Sequence, residues 1–241
     1  MHSNARPGRS SDAPTLADLA GPEALIFDLD GTLVDTVQLR IEAWRRALAT
    51  VGVNAAPEQL AGYIGSDGRK LARDVAHEAG VELDYDASEE MDRLSGDLFD
   101  GLNESPVPLP GATELLTALE ESHVTFAIAT SSRPGQVAVS VAALRLPSPP
   151  PITDGSHVAN AKPEPDLLIE SAAQLGLPPE KCWYVGDSTW DMVASIRAKM
   201  AAIGVTTGAV DAEGLAAAGA SVVVAGLADL LADLRRRGLV P

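Results

Sequence analysis

The sequence predicts an α/β fold: a doubly wound, Rossmann-like parallel sheet with an α-helical domain inserted after the first strand. Short apolar runs, rich in β-branched and aromatic residues, recur along the chain and are mostly separated by segments with helical periodicity. Such alternation is typical of a parallel sheet covered by helices. Residues 37–105 interrupt it, because they show helical patterns and no convincing strand.

The elements follow in chain order. We expect a disordered tail over residues 1–21, which mix Ser, Pro, Gly, Asp and Arg without a period. Residues 22–36 and 106–241 are predicted to form the sheet core, with residues 37–105 inserted between them. Closely spaced prolines in 103–111 oppose both helix and central strand, which indicates a return linker. The predicted strands are 24–27, 124–129, 183–185, 201–205 and 221–224, and the inserted helical patterns are 37–51, 69–79 and 89–102.

Composition narrows the function classes. The 241 residues include 18 basic and 34 acidic side chains, a net charge of -16. This charge repels phosphate backbones and anionic lipid surfaces, so we expect neither nucleic acid nor membrane as a partner. The single cysteine, Cys182, lies in an apolar stretch, which favours a buried thiol in a reducing compartment. Without a membrane-length apolar run or a secretory signal in the sequence, we expect a cytoplasmic location; the sequence indicates no oligomeric state.

Two acidic residues, Asp28 and Asp30, follow the first predicted strand. Parallel sheets place their binding sites at the carboxyl ends of the strands. A bare pair with this spacing is more often a solvated turn, here around Gly31, than a functional site. The pair becomes informative because three further segments follow later predicted strands.

The three later segments offer different chemistries. Thr130 and Ser131 provide hydroxyl and turn N–H groups suited to phosphoryl oxygens, although alone they would indicate only a turn. Lys162 precedes a proline-stiffened helix start and provides a fixed positive charge, although a lone lysine would be an ordinary surface residue. Asp187 and Asp191 offer hard oxygen ligands suited to magnesium, although Asp187 alone could be a helix N-cap.

Taken together, the four segments resemble the signature motifs of the haloacid dehalogenase superfamily of phosphatases, from about residue 24 to the last helix. The insertion is placed as in members with a small helical cap, the phosphoglycolate phosphatase and β-phosphoglucomutase-like subgroup. The resemblance implies that residues 37–105 are a cap that closes over the substrate. It also implies a magnesium-dependent phosphatase that hydrolyses a small phosphorylated metabolite, of the phosphoglycolate or sugar phosphate type, through an aspartyl-phosphate intermediate.

The resemblance also implies a role for each motif residue. Dehalogenases, phosphonatases and the related ion-pumping ATPases lack the second aspartate, so its presence here favours hydrolysis or transfer of phosphate esters. The implied roles are nucleophile for Asp28, general acid and base for Asp30, phosphate binding for Thr130, Ser131 and Lys162, Mg²⁺ binding for Asp28, Asp30 and Asp187, and support of the metal's waters for Asp191.

Two alternative functions stay open. A sugar phosphomutase of the β-phosphoglucomutase type shares the second aspartate and the cap placement, and resembles this chain at Asp35 and Trp44. A cap-hinge histidine common among those mutases aligns with Arg40 here, which disfavours the mutase. A catalytically silent binding protein is disfavoured because every catalytic group of the motifs is present.

Substrate choice is expected in the cap, because the core motifs handle only the phosphoryl group. The candidate specificity residues are Arg40, Gly65, Ser66, Arg69 and Lys70. The glycine allows a close backbone approach, and the cations could pair with a carboxylate or second phosphate of the substrate. An equally weighted alternative is that Ser66 or its neighbour Asp67 simply caps the next helix.

Overall fold

Six parallel strands form one sheet in the computed structural model, which describes residues 14–241. The strand order is β3-β2-β1-β4-β5-β6, so the first strand is central and the chain winds outward to both sides. This order confirms the predicted doubly wound α/β core. The strands are β1 (Ala24–Phe27), β2 (Thr125–Ala129), β3 (Ile152–Thr153), β4 (Cys182–Gly186), β5 (Ala201–Val205) and β6 (Val222–Val224).

Helices cover the sheet and form the insertion. Four of them lie within residues 37–105, where the sequence predicted only helical patterns. The helices are α1 (Val37–Ala49), α2 (Pro57–Ala61), α3 (Gly68–Glu78), α4 (Tyr85–Leu102), α5 (Ala112–Glu121), α6 (Pro134–Ala143), α7 (Asp166–Gln174), α8 (Thr189–Ala198), α9 (Ala212–Ala217) and α10 (Leu227–Arg236).

Strand β1 is a continuous apolar run because both of its faces are covered. Leu25 and Phe27 pack in the cluster that contains side chains of α5 and α10. Ala24 and Ile26 pack in the cluster that contains side chains of α7 and α8. Successive strand residues point to opposite faces, so a strand between two helix layers needs apolar residues at every position. Strand β1 pairs in parallel with β2 and β4, which places its carboxyl end at the middle of the sheet edge.

Helices α1 to α4 pack on one another around an apolar cluster of their own. Trp44 of α1 and Leu71 of α3 are buried in it. Helix α3 begins after Asp67 and α4 after Asp84, and each of these carboxylates accepts a hydrogen bond from a backbone N–H three residues ahead. Because this cluster is distinct from the clusters of the sheet, we propose that residues 37–105 form the cap domain.

The outgoing and returning connections of the cap run side by side. Val34 forms an antiparallel bridge with Pro108. The N–H of Asp35 donates to the carbonyl of Val107 at 2.8 Å, and the N–H of Leu109 donates to the carbonyl of Leu33 at 2.9 Å. The proline-rich return linker is therefore held beside the turn that follows β1, which ties the cap to the strand that carries the first motif.

The structure differs from the predicted tail of residues 1–21. The first 13 residues lie outside the described range, but the prediction of disorder is wrong for residues 14–21. Leu16 is 2% exposed and packs in the sheet core. The indole N–H of Trp183 in β4 donates to the carbonyl of Ala20 at 3.1 Å. These partners come from distant parts of the chain, so local composition did not reveal them.

Short elements account for the other differences. Strand β3 and helix α2 were not predicted, because two and five residues are too short to show a period. Helix α4 begins four residues before the predicted 89, directly after its N-cap residue Asp84.

Cys182 is buried, as expected. No helix in the described part of the chain combines the length and the apolar character needed to cross a bilayer.

Candidate active site

The carboxyl ends of β1 and β4 lie next to each other, because these two strands are neighbours in the sheet. At this point the chain turns from one half of the sheet to the other, and open α/β sheets bind their ligands at such a position. Asp28 follows β1 and Asp187 follows β4, and each is only 4% exposed. The fold therefore brings together two motif carboxylates that are distant in sequence.

Three carboxylates form a buried cluster around one ammonium group. Asp28, Asp187 and Asp191 each offer a carboxylate oxygen within 4.8 Å of the others. The Nζ of Lys162 donates to Oδ1 of Asp28 at 3.0 Å and to Oδ1 of Asp191 at 2.7 Å. Lys162 is 1% exposed. A buried lysine with two carboxylate partners is a fixed charge at the floor of the site, as its motif position predicted.

The cluster shifts the proton affinity of its members. Burial, with a smaller contribution from the charges of Asp191 and Asp30, raises the pKa of Asp28 to about 7, although Lys162 opposes the rise. Burial, together with Asp191 and Asp28, raises the pKa of Asp187 well above its ordinary value. Burial disfavours the charge of Lys162, but the two carboxylates beside it outweigh this effect and raise its pKa.

The donor set fits a divalent cation. When all three carboxyl groups are ionised, as metal ligands must be, the one ammonium leaves two negative charges uncompensated in a buried space. Hard carboxylate oxygens are the ligands that Mg²⁺ prefers. Asp28 and Asp187 are the residues that would hold it. Asp191 is already engaged, since it accepts hydrogen bonds from Lys162, from the backbone N–H of Ser188 and from the Tyr184 hydroxyl, which fits its predicted supporting role.

Two glycines fix the orientation of Asp187. A β-carbon added at Gly31 or at Gly208 would overlap Oδ2 of Asp187. Gly31 also has a φ of 79°, a left-handed conformation that glycine adopts without penalty. The hydroxyl of Thr32 donates to Oδ1 of Asp187 at 2.9 Å. The carboxylate is thus held between a hydrogen-bond donor and closely packed main chain.

The side chain of Asp30 lies outside the carboxylate cluster, so its predicted role in binding the metal beside Asp28 and Asp187 stays a prediction. Its oxygens accept hydrogen bonds from the Thr36 hydroxyl at 2.7 Å, from Arg40 Nη2 at 3.0 Å and from the Ser132 hydroxyl. Burial raises the pKa of Asp30, but Arg40 and the two hydroxyls outweigh burial and lower it overall. These three donors hold the carboxylate of Asp30 away from the cluster.

The second motif lies at the end of β2. The hydroxyl of Thr130 accepts a hydrogen bond from the backbone N–H of Ser132 at 3.2 Å, and Thr130 is 1% exposed. The hydroxyl of Ser131 is buried and has no hydrogen-bond partner among the described residues. A buried hydroxyl without a partner is unfavourable unless a ligand completes it. Ser131 therefore fits its predicted role in binding a phosphoryl oxygen.

A cleft of about 390 Å³ lies between the core motifs and the cap. The cap approaches the core closely at this cleft: the N–H of Asp67 donates to the carbonyl of Lys162 at 3.2 Å, and the indole of Trp190 donates to the carbonyl of Gly62 at 3.0 Å. Arg40, Gly65, Ser66 and Arg69 are among the lining residues that the sequence predicted.

The sequence left two interpretations of residues 65–70 open: helix capping and substrate recognition. The structure supports each of them for a different residue. Asp67 is the N-cap of α3, because its carboxylate accepts a hydrogen bond from the N–H of Lys70 at 2.9 Å. Arg69 lines the cleft, and its Nη2 lies 2.9 Å from Oδ2 of Asp67. The predicted specificity role of Lys70 is not supported, because its ammonium pairs with Asp74 and the residue does not line the cleft.

Three of the cleft-lining residues that sequence reasoning missed lie where the cap meets the core. Asp92 of α4, and Arg133 and Gln136 near the start of α6, meet across the boundary between cap and core. Gln136 donates to the carbonyl of Gly96 at 3.2 Å and accepts from Arg40 at 3.0 Å. The sequence gives one local indication that another element packs closely here: two small residues, Ser95 and Gly96, lie one helical turn after Asp92.

The fold and the site define a doubly wound α/β protein with a buried aspartate, Asp28, in its cleft. The chain belongs to the haloacid dehalogenase-like hydrolase family, whose model matches residues 25–205. Hexitol phosphatase A of Escherichia coli is 31% identical over 73% of this chain and 79% of its own length. The plasmid-encoded phosphoglycolate phosphatase of Cupriavidus necator is 31% identical over 90% and 95%.

Further matches lie in the same subgroup. The beta-phosphoglucomutase of Bacillus subtilis is 27% identical over 88% of this chain and 93% of its own length. A hydrolase from Pseudomonas syringae has a crystal structure that superposes with a TM-score of 0.83 at 32% identity, over 88% of this chain and 98% of that chain. The predicted family, fold class and enzyme class, a phosphoric monoester hydrolase, are confirmed.

Proposed function

We propose that this protein is a Mg²⁺-dependent phosphatase that hydrolyses a small phosphorylated metabolite, of the phosphoglycolate or sugar phosphate type, through a phosphorylated Asp28. The observation that carries the proposal is the position of Asp28, whose Oδ1 lies 3.0 Å from the buried ammonium of Lys162 within the three-carboxylate cluster. The names of the phosphatase relatives support the substrate types. The buried thiol of Cys182 supports our expectation of a reducing, cytoplasmic compartment.

The charges around Asp28 address the main barrier of the reaction. A carboxylate and a phosphate about 4 Å apart repel by roughly 4 kcal/mol at an effective dielectric near 20. Lys162 offsets part of this repulsion, and Ser131 and Thr130 lie where a phosphoryl group would need hydrogen-bond donors. A bound Mg²⁺ would neutralise further charge on the transferring phosphoryl group.

Asp30 moves the protons. In the first half-reaction an oxygen of Asp28 bonds to phosphorus, the bond between phosphorus and the alcohol oxygen breaks, and Asp30 donates a proton to that oxygen. In the second half-reaction water attacks the phosphorus and Asp30 accepts the proton of the water, which releases phosphate and restores the Asp28 carboxylate. The Arg40 contact at 3.0 Å supports the ionised form of Asp30 that accepts this proton.

The test is Mg²⁺-dependent phosphate release from p-nitrophenyl phosphate and a panel of phosphorylated metabolites. We expect Asp28→Asn to lower kcat by at least about 10⁴-fold, because the nucleophile is lost. Asp35→Asn is the matched control: it changes an exposed carboxylate of the same loop that does not line the cleft, and should retain activity. Unchanged turnover in Asp28→Asn, or a wild-type protein that hydrolyses nothing in the panel, would overturn the proposal.

A sugar phosphomutase is the second candidate, favoured by the Bacillus subtilis relative and its 88% coverage of this chain. Against it stands Arg40, which occupies the hinge position and bonds to Asp30. Product analysis with a sugar 1-phosphate decides between them. We expect release of phosphate to outpace isomerisation, and the reverse order would replace the phosphatase with a mutase.

A further inference from the structure

The cap contributes a wall to the cleft that is rich in carboxylates. We define the cap wall as the cleft-lining residues Ser66, Asp67, Arg69, Glu89 and Asp92. Three of these five are acidic and one is basic. The cap wall lies on the cap side of the cleft, which also includes Arg40 and apolar residues such as Trp44 and Ile64. In the proposed reaction, the cap side faces whatever the phosphoryl group is attached to. Its chemistry therefore bears on the leaving group of the proposed reaction.

The arginines that line the cleft in the described part of the chain already have partners. Arg69 donates to Asp67 at 2.9 Å and to the Tyr85 hydroxyl at 3.1 Å. Arg133 donates to the backbone carbonyl of Asp92 at 2.9 Å. Arg40 is bound to Asp30, Ser132 and Gln136, as described above. A substrate carboxylate would have to compete with these acceptors for each guanidinium.

Glu89 and Asp92 are the members of the cap wall with spare hydrogen-bonding capacity, but Glu89 is exposed, whereas Asp92 is half-buried. Its Oδ1 accepts no hydrogen bond from any described residue, and its Oδ2 has only a long contact of 3.5 Å with Arg133. Oδ1 packs against the main chain of Gly68, where a β-carbon would overlap it, so its position is fixed. Burial raises the pKa of Asp92 more than Arg133 lowers it. The side chain of Asp92 is 41% exposed, so this carboxylate oxygen is open to a hydroxyl donor in the cleft.

We propose that the cap wall recognises a neutral, hydroxyl-rich leaving group, with Asp92 as the specificity-determining acceptor for a substrate hydroxyl. This inference rests on the proposed phosphatase function and narrows its substrate class to phosphate monoesters of polyols or sugars. A carboxylate at the same place would meet the like charges of the cap wall and find each arginine engaged. A hydroxyl donates a hydrogen bond that Asp92 can accept.

Matched pairs of phosphate esters test this inference. D-Glucitol 6-phosphate and 6-phosphogluconate differ only in an alcohol or a carboxylate at the far carbon, and glycerol 3-phosphate and 3-phosphoglycerate form a shorter pair of the same kind. We expect wild-type kcat/KM to be at least about tenfold higher for the alcohol of each pair, because like charges placed together are strongly unfavourable. Equal or faster hydrolysis of the acids would overturn the inference.

The variant Asp92→Asn identifies the responsible residue. It keeps an acceptor oxygen and removes the charge, so we expect the alcohol-to-acid ratio of kcat/KM to fall by at least about threefold, mainly through faster hydrolysis of the acid. Asp86→Asn is the control, since it changes an exposed carboxylate on the same helix outside the cleft and should leave the ratio unchanged. An unchanged ratio in Asp92→Asn would remove the role of this residue. Absence of Mg²⁺-dependent hydrolysis of p-nitrophenyl phosphate by the wild type would instead overturn the proposed function, and this inference with it.

Discussion

Replacing Asp28, the proposed nucleophile, should stabilise the metal-free protein while abolishing its activity. Burial raises the pKa of Asp28 from the ordinary 3.8 to about 7. A carboxyl group that binds its proton more tightly in the folded state destabilises that state once the group is ionised. Each tenfold change in proton affinity is worth about 1.4 kcal/mol, so a pKa near 7 corresponds to roughly 4 kcal/mol of unfolding free energy at pH 8.

The expected net gain for Asp28→Asn is smaller than this. The new carboxamide keeps an acceptor for the ammonium of Lys162, now 3.0 Å from Oδ1, but its two N–H donors must find partners in a buried site. An imperfect hydrogen bond there costs about 1 kcal/mol, so we expect a net stabilisation of roughly 2 to 3 kcal/mol at pH 8.

Urea unfolding of the chelator-treated protein measures this difference, with Asp35→Asn as the control that should match the wild type. The sign follows from the raised pKa: the destabilisation is absent below about pH 4, grows between pH 4 and 7, and is complete above pH 7. The advantage of Asp28→Asn should therefore shrink when the measurement is repeated at pH 5. A variant that is less stable than the wild type at pH 8, or an advantage that does not depend on pH, would refute the reasoning.

Three further predictions concern the metal, its ligand and the proton carrier. Mg²⁺ should raise the Tm more at pH 8 than at pH 5, because the buried cluster must lose its protons to bind the ion; an equal shift at both would contradict this. Gly208→Ala should displace Asp187 and weaken Mg²⁺ binding about 10- to 100-fold by calorimetry, whereas Gly101→Ala, with open space around it, should not. Arg40→Gln should raise the pKa of Asp30 and move the basic limb of kcat/KM, which reports the protonated Asp30 that the first half-reaction needs, about one pH unit upward, whereas exposed Arg45→Gln should leave it in place.

The fold was predictable where the chain repeats a pattern. Strand β1 is buried on both faces and its four residues are apolar, so the sequence marks it clearly. Helix α1 has buried residues at Ile41, Trp44 and Leu48, which gives it a helical period. Strand β3 has two residues and α2 has five, and neither can show a period. A helix or strand could therefore be predicted from the sequence only if it was long enough to show a period or was buried on both faces.

The site was predictable where each motif follows a strand of the parallel sheet. Asp28, Thr130 and Asp187 lie at carboxyl ends of strands, and the topology alone brings these ends to one edge. Side-chain direction was not predictable in the same way. Asp30 faces Arg40 and two hydroxyls instead of the carboxylate cluster, and Lys70 turns to a neighbour on its own helix.

The cap wall escaped prediction for a different reason. Asp92 meets Arg133 only because α4 packs beside the start of α6, and these positions belong to separate domains of the proposed architecture. No spacing in the sequence indicates a contact between two helices whose relative placement depends on the cap linkers. Tertiary packing brings the two residues together, so a contact of this kind can be identified only from a structure.

Trapping the intermediate tests the central claim most directly. The wild-type protein is mixed with Mg²⁺ and a substrate that it turns over, quenched in acid within the first turnover, digested and analysed by mass spectrometry. We predict a hydroxylamine-sensitive phosphoryl group on the peptide that contains Asp28, formed before phosphate is released. Phosphate release with no phosphorylated peptide at any time, or with the phosphoryl group on a different residue, would contradict the account.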